Sequence, residues 1–365
     1  MEKKIAVLRG DGIGPEVVDE AVKVLKAVEA RFGHKFTYCN IIGGVAGLEV
    51  YGDALRPQDY ELGKSCDSIL FGSVGDPRKY SYTGANGTTK YPSRKESAVK
   101  ALASFRRGMN LFANVRPAKV YPQLLSASPL KDRVAADMDL IVLRENTAGI
   151  FYAGKFLKEV GGQLCAIDEC AYTWAEVEQH ARCAFELAMG RKKKVTMVNK
   201  PNAMETGVLW ENVYEKVAEE YPEVHYEAML VDGCAARIVT RPGQFDIIAA
   251  ENMFGDILSD LANSAAGSMG LAGSGDIDST GKGLYECAGG SAPDIAGLGI
   301  ANPIAEILSA ALMLRLSFHM NDEAAAIEGA LEKVLDEGYR TGDIMTPGGK
   351  KLNCGEMGTA IAERV

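Results

Sequence analysis

Short apolar runs alternate with amphipathic segments of helical periodicity along most of the chain, and this alternation limits the possible folds more than any other feature. The apolar runs, which we predict to be strands, are 5–8, 68–72, 140–143, 194–198 and 246–250. The amphipathic segments, which we predict to be helices, are 16–30, 97–107, 174–189 and 205–220. Because helices that connect neighbouring strands are typical of parallel sheets, we expect an α/β fold with a mostly parallel sheet.

The size, charge and cysteine content of the chain exclude several classes of protein. Its 365 residues are enough for about two domains. A total of 40 basic and 49 acidic residues gives a net charge of -9, which argues against a nucleic-acid partner. The apolar run at 5–8 is too short for a signal peptide or a membrane span. The eight cysteines include no Cys-x-x-Cys pair, so we expect free thiols, no zinc site, no membrane partner and a place in the cytoplasm.

Three glycines, Gly10, Gly12 and Gly14, follow the first predicted strand. In many dinucleotide-binding proteins a Gly-x-Gly-x-x-Gly sequence at this place lets the backbone approach a pyrophosphate. Here the third glycine comes one residue too early, and the second strand region, 36–42, ends without the acidic residue that would bind a ribose hydroxyl. A tight turn explains these glycines better than a cofactor loop does, although the residues leave both interpretations open.

Polar side chains recur at every fourth position after the predicted strand 246–250. Asn252, Asp256 and Asp260 would stack on one face of a helix. Carboxylate and amide oxygens suit a hard divalent cation such as Mg²⁺ or Mn²⁺. A solvated acidic face is the alternative, but the position directly after a buried strand is where α/β active sites gather.

Basic residues follow several of the predicted elements. Arg116 and Arg144 come just after apolar runs that we expect to be strands, Arg106 lies late in the predicted helix 97–107, and Lys200 follows the strand 194–198. Guanidinium groups bind carboxylates through two parallel hydrogen bonds. Any one of these residues alone would be an ordinary surface charge, but together with the acidic helix face they predict a pocket for a small polycarboxylate. Lys200 is either an exposed loop charge or a base with a lowered pKa.

Five segments, in their order and spacing, resemble the β-decarboxylating dehydrogenases, the group of isocitrate, isopropylmalate, homoisocitrate and tartrate or D-malate dehydrogenases. They are the first loop at 10–16, the substrate segments at 111–117 and 144–147, the metal helix at 252–260 and the adenosine loop at 290–297. The resemblance covers nearly the whole chain. It implies two α/β domains with parallel or mixed sheets and a cleft between them, and not a Rossmann fold. The cofactor-side domain would be 1–111 with 267–365, and the substrate, metal and dimerisation domain would be 112–266.

The resemblance also implies a role for each site residue. The substrate-binding residues would be Arg106, Arg116, Arg144 and Leu102. The metal ligands would be Asp232, Asp256 and Asp260. The residues that bind the cofactor would be Gly72, Val74, Asn202, Gly290, Ser291, Ala292, Pro293, Asp294, Ile295 and Asn302. Lys200 would deprotonate the C2 hydroxyl, and Lys200 and Asp232 would reach into the site of a neighbouring subunit, so we expect a homodimer.

The implied reaction is the NAD-dependent oxidative decarboxylation of a 3-substituted malate. Asp294 favours NAD because a carboxylate accepts a hydrogen bond from a 2′-hydroxyl but repels a 2′-phosphate. Leu102, with Val99 and Ala103, forms an apolar wall that suits an alkyl group, which favours 3-isopropylmalate and leucine biosynthesis. Homoisocitrate, tartrate or D-malate as substrate, or a catalytically impaired paralogue, remain alternatives.

The chain departs from the pattern of this family at three places. Where the family has a tyrosine acid, the chain has Phe151, followed by Tyr152. Either Tyr152 or water would then protonate the enolate. The Glu-Pro-x-His-Gly sequence near the cofactor is replaced by 286–290, which ends in two glycines, and Leu298 stands where a lysine is often found. These changes leave the exact substrate open.

Overall fold

The structure is a computed structural model that describes residues 1–76, 82–83, 89–90 and 97–365. The strands are Glu2–Leu8 (β1), Lys35–Ile41 (β2), Ser68–Phe71 (β3), Tyr82–Thr83 (β4), Thr89–Lys90 (β5), Ala113–Lys119 (β6), Asp139–Glu145 (β7), Lys155–Val160 (β8), Gln163–Asp168 (β9), Lys194–Asn199 (β10), His225–Leu230 (β11), Ile247–Ala250 (β12), Gly273–Ile277 (β13), Gly283–Cys287 (β14), Tyr339–Arg340 (β15) and Lys350–Lys351 (β16). The α-helices are Gly14–Phe32 (α1), Val45–Tyr51 (α2), Pro57–Ser65 (α3), Lys100–Gly108 (α4), Asp132–Ala135 (α5), Trp174–Met189 (α6), Glu205–Ala218 (α7), Val231–Thr240 (α8), Asn252–Ala266 (α9), Ile304–Leu316 (α10), Asn321–Asp336 (α11) and Cys354–Ala362 (α12). Short 3-10 helices cover Pro122–Ala127, Gly149–Phe151, Pro242–Gln244, Met269–Leu271 and Gly342–Ile344.

The chain forms two compact units. Unit 1 consists of Met1–Leu111, Tyr121–Ala127 and Gly267–Val365, and unit 2 consists of Phe112–Val120 and Ser128–Ala266. Both ends of the chain therefore belong to unit 1. No helix in the described part of the chain has the length and apolar character needed to cross a membrane.

In unit 1 the strands follow the order β13-β14-β3-β1-β2. Strands β14, β3, β1 and β2 are parallel, and β13 is antiparallel to β14. Helix α1 begins with Pro15 in its first turn, where a missing N–H costs nothing, and ends at Gly33 in the left-handed conformation. Its apolar face is buried, and the loops that follow β1, β3 and β14 lie at the carboxyl ends of three parallel strands.

Unit 2 has a similar arrangement, with the strand order β11-β10-β12-β7-β6. Strands β11, β10, β12 and β7 are parallel, and β6 is antiparallel to β7. Because parallel strands end at one edge of a sheet, the residues that follow them lie at the same edge. This edge carries Arg144 near the end of β7, Lys200 after β10, Asp232 after β11 and the first turn of α9 after β12.

Most predicted elements are present, with ends that differ by a few residues. The prediction that Arg116 and Arg144 follow strands is wrong, because Arg116 is the fourth residue of β6 and Arg144 is the sixth residue of β7. The apolar run ends at Val115, but pairing with β7 continues through Lys119, opposite Asp139. Pairing with a neighbouring strand therefore extends β6 beyond its apolar sequence.

Candidate active site

The two aspartates of helix α9 converge on one point. Asp256 and Asp260 lie one turn apart, and their Oδ1 atoms are 3.6 and 3.2 Å from the same atom, Nη1 of Arg116. Burial raises the pKa of the Asp260 carboxyl above its usual value, Arg116 opposes this rise and Asp256 adds to it. Two carboxylates that share one positive nitrogen form a donor set that a divalent cation fits.

Arg144, near the end of β7, is buried and reaches the first turn of α9. Its Nε and Nη2 donate to Asn252 Oδ1 at 3.1 and 2.8 Å. Its Nη1 donates to Asp256 Oδ1. The guanidinium carbon lies 5.6 Å from the centre of the Phe151 ring. Arg116, Arg144, Asp256 and Asp260 thus form one cluster of two guanidinium groups and two carboxylates, all within unit 2.

Lys200 and Asp232 form an ion pair at the same edge of the unit 2 sheet. Lys200 follows β10, and Asp232 lies in the first turn of α8. The Nζ of Lys200 is 2.7 Å from Asp232 Oδ1, and this hydrogen bond lowers the pKa of the Asp232 carboxyl. In the described residues of one chain, no three His, Cys, Asp or Glu side chains lie close enough to hold a metal ion. Within one chain, Asp232 therefore does not join Asp256 and Asp260.

Arg106 lies in unit 1, on α4, and has two buried carboxylate partners. Its Nε donates to Asp276 Oδ2 at 2.8 Å, and its Nη2 donates to Glu286 Oε1 at 3.0 Å. A substrate carboxylate would have to share this guanidinium with both acids. On the same helix, Leu102 is partly buried against the core of unit 1, and Val99, the residue before the helix, is exposed.

Three loops of unit 1 contact one another through their backbones. The N–H of Asp11 donates to Ser73 O at 2.8 Å, and the N–H of Ile13 donates to Ser291 O at 2.9 Å. The Ser291 hydroxyl donates to Gly75 O at 2.5 Å. The residues predicted to bind the cofactor at 72–75 and 290–297 are therefore brought together, and the first glycine loop lies between them.

Gly10 and Gly12 are required by this contact. Both have positive φ, and a Cβ atom at Gly10 would lie 2.3 Å from Ser73 O. A Cβ atom at Gly12 would lie 1.8 Å from Ser291 O. Real Cβ atoms never approach a backbone oxygen so closely. These glycines serve close packing of three loops, which supports the interpretation as a tight turn.

The carboxylate of Asp11 joins the loop at 72–75 to the start of α2. It accepts hydrogen bonds from Gly75 N at 2.7 Å, Val45 N at 2.8 Å and Ala46 N at 3.2 Å. The last two are unpaired donors at the start of α2, where an anion is favourable. Asp11 was missed by sequence reasoning, which treated it as part of the glycine turn.

The loop at 290–297 packs against neighbouring parts of unit 1. Ala292 and Ile295 pack against the apolar cluster that contains Ile13 and Cys287, and the N–H of Gly297 donates to Glu16 Oε1 at 2.6 Å. Ala292 has φ +33, an uncommon backbone conformation that is often found at binding sites. Gly290 has positive φ with open space around it, Pro293 is partly buried, and Asp294 is exposed.

Two asparagines predicted to bind the cofactor lie in different surroundings. In unit 1, Asn302 uses both of its polar atoms, because Oδ1 accepts from Ile304 N at 3.0 Å and Nδ2 donates to Asp343 at 3.0 Å. In unit 2, Asn202 is exposed in the turn after Lys200. Gly72 packs against the backbone of Arg9, and Val74 packs against the core of unit 1.

Cys287 stands where the family sequence has a proline, and this difference affects a backbone hydrogen bond. Its N–H donates to Glu306 Oε2 at 2.8 Å, a bond that a proline at this position could not form. Glu306 is fully buried, and burial raises the pKa of its carboxyl well above the usual range. Ser73 Oγ is 3.4 Å from Cys287 Sγ, so this pair is connected to the loop at 72–75.

Known proteins resemble the chain over its full length. A family model described as isocitrate/isopropylmalate dehydrogenase matches residues 4–361. The chain belongs to this family. It is 44% identical over 366 residues to the 3-isopropylmalate dehydrogenase of Halalkalibacterium halodurans, covering 100% of this chain and 98% of that protein. It is 44% identical over 365 residues to the 3-isopropylmalate dehydrogenase of Clostridium pasteurianum, covering 100% and 99%.

A solved structure of the same family has the same fold. The isocitrate dehydrogenase of Methylococcus capsulatus matches with a TM-score of 0.84 and 31% identity, covering 99% of each chain. The family and the fold class predicted from the sequence are therefore confirmed.

The family motifs do not include every residue that supports the predicted site residues of each unit. Asp276 and Glu286 hold Arg106, and Tyr172 contacts the first turn of α9. Asp276 lies alone in a strand, and Tyr172 precedes a predicted helix, so neither has a local sequence signal. Glu286 lies in a segment that sequence reasoning noted only for its lost histidine.

Proposed function

We propose that this dehydrogenase oxidises and decarboxylates 3-isopropylmalate to 4-methyl-2-oxopentanoate and CO2, a reaction of leucine biosynthesis, with NAD as hydride acceptor and Mg²⁺ or Mn²⁺ as cofactor. One observation carries the proposal. Two guanidinium groups and two carboxylates converge at the carboxyl edge of the unit 2 sheet. Such a set binds a metal ion and a dicarboxylate side by side. Relatives named 3-isopropylmalate dehydrogenase support the choice of substrate.

In this proposal, Asp256 and Asp260 hold the cation, with Asp232 from a second subunit as the third ligand. A divalent cation supplies Lewis acidity that lowers the pKa of a hydroxyl bound to it. Arg116 and Arg144 bind the substrate carboxylates and remain close to the acids that they contact in one chain. Arg106 contributes a third guanidinium, and Leu102 contacts the alkyl group of the substrate.

Lys200 takes the proton of the C2 hydroxyl. Within one chain its Nζ donates to Asp232 Oδ1 at 2.7 Å. If Asp232 were a metal ligand, Lys200 would lose this partner and its Nζ would be available to the C2 hydroxyl of the substrate. After the loss of CO2, Tyr152 or water returns a proton to the enolate.

NAD binds along the loops of unit 1. Exposed Asp294 accepts from the ribose hydroxyls, while Gly290, Ser291, Ala292, Pro293 and Ile295 form the loop that carries it. Gly72 and Val74 lie in the second loop, and Asn302 and Asn202 are further contacts. Unit 1 is thus the cofactor side of the protein, and unit 2 is the substrate, metal and dimerisation side.

The proposed active form is a homodimer in the cytoplasm, in which Lys200 and Asp232 act across the interface. Exposed apolar residues of unit 2 support a second copy as partner. In the β8–β9 hairpin, Leu157 is 66% exposed and Leu164 is 77% exposed, and on α9 Ile257 is 62% exposed. Leu157 and Leu164 lie on the two paired strands of the hairpin, and neighbouring exposed apolar side chains are typical of an association surface.

A substrate panel tests this function. The formation of NADH or NADPH is measured with 3-isopropylmalate, homoisocitrate, isocitrate, tartrate and D-malate. Each assay contains Mn²⁺ and either NAD or NADP. The fastest turnover should occur with 3-isopropylmalate and NAD. Preference for a polar substrate would support the homoisocitrate, tartrate or D-malate alternative, and NAD binding without turnover would support an impaired paralogue.

A lysine variant tests the base. Lys200→Ala should lower kcat by about 100-fold or more, the contribution of a general base, and leave the Mn²⁺ dissociation constant within about twofold. Lys194→Ala is the matched control, because Lys194 lies at the other end of β10 and also pairs with a carboxylate, Glu227, at 3.1 Å. Normal turnover by Lys200→Ala would remove the base assignment.

A further inference from the structure

Asn252 is the fully buried first residue of α9, and it lies between Arg144 and the backbone. Its Oδ1 accepts two hydrogen bonds from Arg144, and its Nδ2 donates to Ala148 O at 2.9 Å. An arginine can only donate and a carbonyl can only accept, so these partners determine which way the amide faces. One edge of the Arg144 guanidinium is therefore held by a side chain that has a single orientation.

A second set of contacts fixes Asn252 itself. Its backbone N–H donates to the Tyr172 hydroxyl at 3.0 Å, and this hydroxyl donates to Glu251 Oε2 at 2.9 Å. Glu251 is buried, and its other oxygen accepts from Phe254 N at 2.8 Å. Tyr172 also packs closely over Gly149, where a Cβ atom would lie 2.0 Å from the hydroxyl. Tyr172 thus holds the first turn of α9 in place within unit 2.

The amide at position 252 differs in charge from the acids one and two turns later on the same face. An aspartate there would also accept from Arg144, but it would compensate the positive charge. Asn252 orients the guanidinium without adding a second negative charge to that of Asp256. A substrate carboxylate bound by Arg144 therefore meets a guanidinium that is fixed in direction and paired with one carboxylate instead of two.

We propose that Asn252 is a positioning residue that sets the orientation of Arg144 for the substrate carboxylate, with Tyr172 as its support. This inference rests on the proposed role of Arg144 in substrate binding. Asn252 does not itself touch the substrate and acts only through Arg144. Its loss is therefore expected to weaken substrate binding more than it slows the chemical step.

The test compares four variants by KM for 3-isopropylmalate, kcat, KM for NAD and melting temperature. Asn252→Ala should raise the substrate KM by about tenfold and change kcat and the KM for NAD by less than about threefold. Tyr172→Phe should raise the substrate KM by about two- to fivefold. Asn263→Ala is the matched control, because Asn263 is a buried asparagine of the same helix and should leave both KM values and kcat unchanged.

A comparison with Arg144→Lys distinguishes failure of the positioning role of Asn252 from failure of the proposed function. Arg144→Lys should raise the substrate KM at least as much as Asn252→Ala does. An effect of Arg144→Lys together with a normal KM for both Asn252→Ala and Tyr172→Phe would overturn the positioning role and leave the proposed function intact. A normal substrate KM for Arg144→Lys would remove Arg144 from substrate binding, and the inference with it. If Asn252→Ala does not fold, Tyr172→Phe, which removes only one oxygen, decides between these outcomes.

Discussion

His180 makes unit 2 sensitive to acid, and the size of the effect follows from its surroundings. The imidazole on α6 is fully buried, its Nδ1 lies 2.7 Å from the Tyr214 hydroxyl, and its ring centre is 5.1 Å from that of Trp210. Burial lowers the pKa of His180 from 6.5 to about 3, although the nearby backbone of Leu143 and Arg144 opposes this shift. In the unfolded chain the pKa returns to its usual value of about 6.5.

The sign of the effect follows from proton binding. Below about pH 6.5 the unfolded chain binds a proton at His180 and the folded chain does not, so stability falls as the pH falls, down to about pH 3. Between about pH 7 and about pH 5 this single group should lower the free energy of unfolding by about 2 kcal/mol. Replacement by phenylalanine, which does not titrate, should remove this dependence.

Urea unfolding followed by tryptophan fluorescence measures the effect. Both tryptophans, Trp174 and Trp210, belong to unit 2, so their emission reports this unit. The difference in stability between the wild type and His180→Phe should shrink by about 2 kcal/mol from about pH 7 to about pH 5. The matched control is His225→Asn, at an exposed histidine of the same unit, and its difference should stay constant. A difference for His180→Phe that also stays constant would refute the reasoning.

Three further variants test other parts of the molecule. Phe151→Tyr should raise the overall rate of decarboxylation to the keto product, because it restores a phenol beside Arg144 that can protonate the enolate; an unchanged rate would mean that Tyr152 or water already supplies the proton. Asp260→Asn should reduce the rise in melting temperature that Mn²⁺ produces in the wild type by more than about half, and an undiminished rise would exclude Asp260 as a ligand. Gly12→Ala should weaken NAD binding and lower the free energy of unfolding by more than the roughly 1 kcal/mol expected for Gly33→Ala. Gly33 also has positive φ, but a Cβ atom there would meet no neighbouring atom. Equal losses for the two variants would show that contact with Ser291 does not matter.

Local patterns were sufficient for the parts of the molecule that depend on neighbouring residues in sequence. The strand and helix order follows from apolar periodicity, and the four-residue spacing of Asp256 and Asp260 places them on one face of α9. The position of Lys200 directly after β10 was predicted in the same way.

Contacts between distant segments were not visible in the sequence. Arg106 meets Asp276 and Glu286, which are 170 and 180 residues away, and Tyr172 meets Asn252 across 80 residues. Arg116 was assigned to the end of a strand because its apolar run stops there, whereas pairing with β7 continues the strand. Such partners are selected by how strands and helices pack, and a single sequence contains no direct record of that packing.

One helix, α9, carries the residue that orients Arg144 and both acids that converge beside it. Each residue of an α-helix advances about 100° around the axis, so an insertion or deletion between Asn252 and Asp260 would turn one group away from the others. Point substitutions at 256 and 260 do not cause this rotation, because they change the chemistry of one side chain and leave the length of the helix unchanged. If α9 binds the metal as proposed, its metal preference can change through point substitutions, while a change of length between Asn252 and Asp260 would disrupt the proposed substrate and metal contacts together.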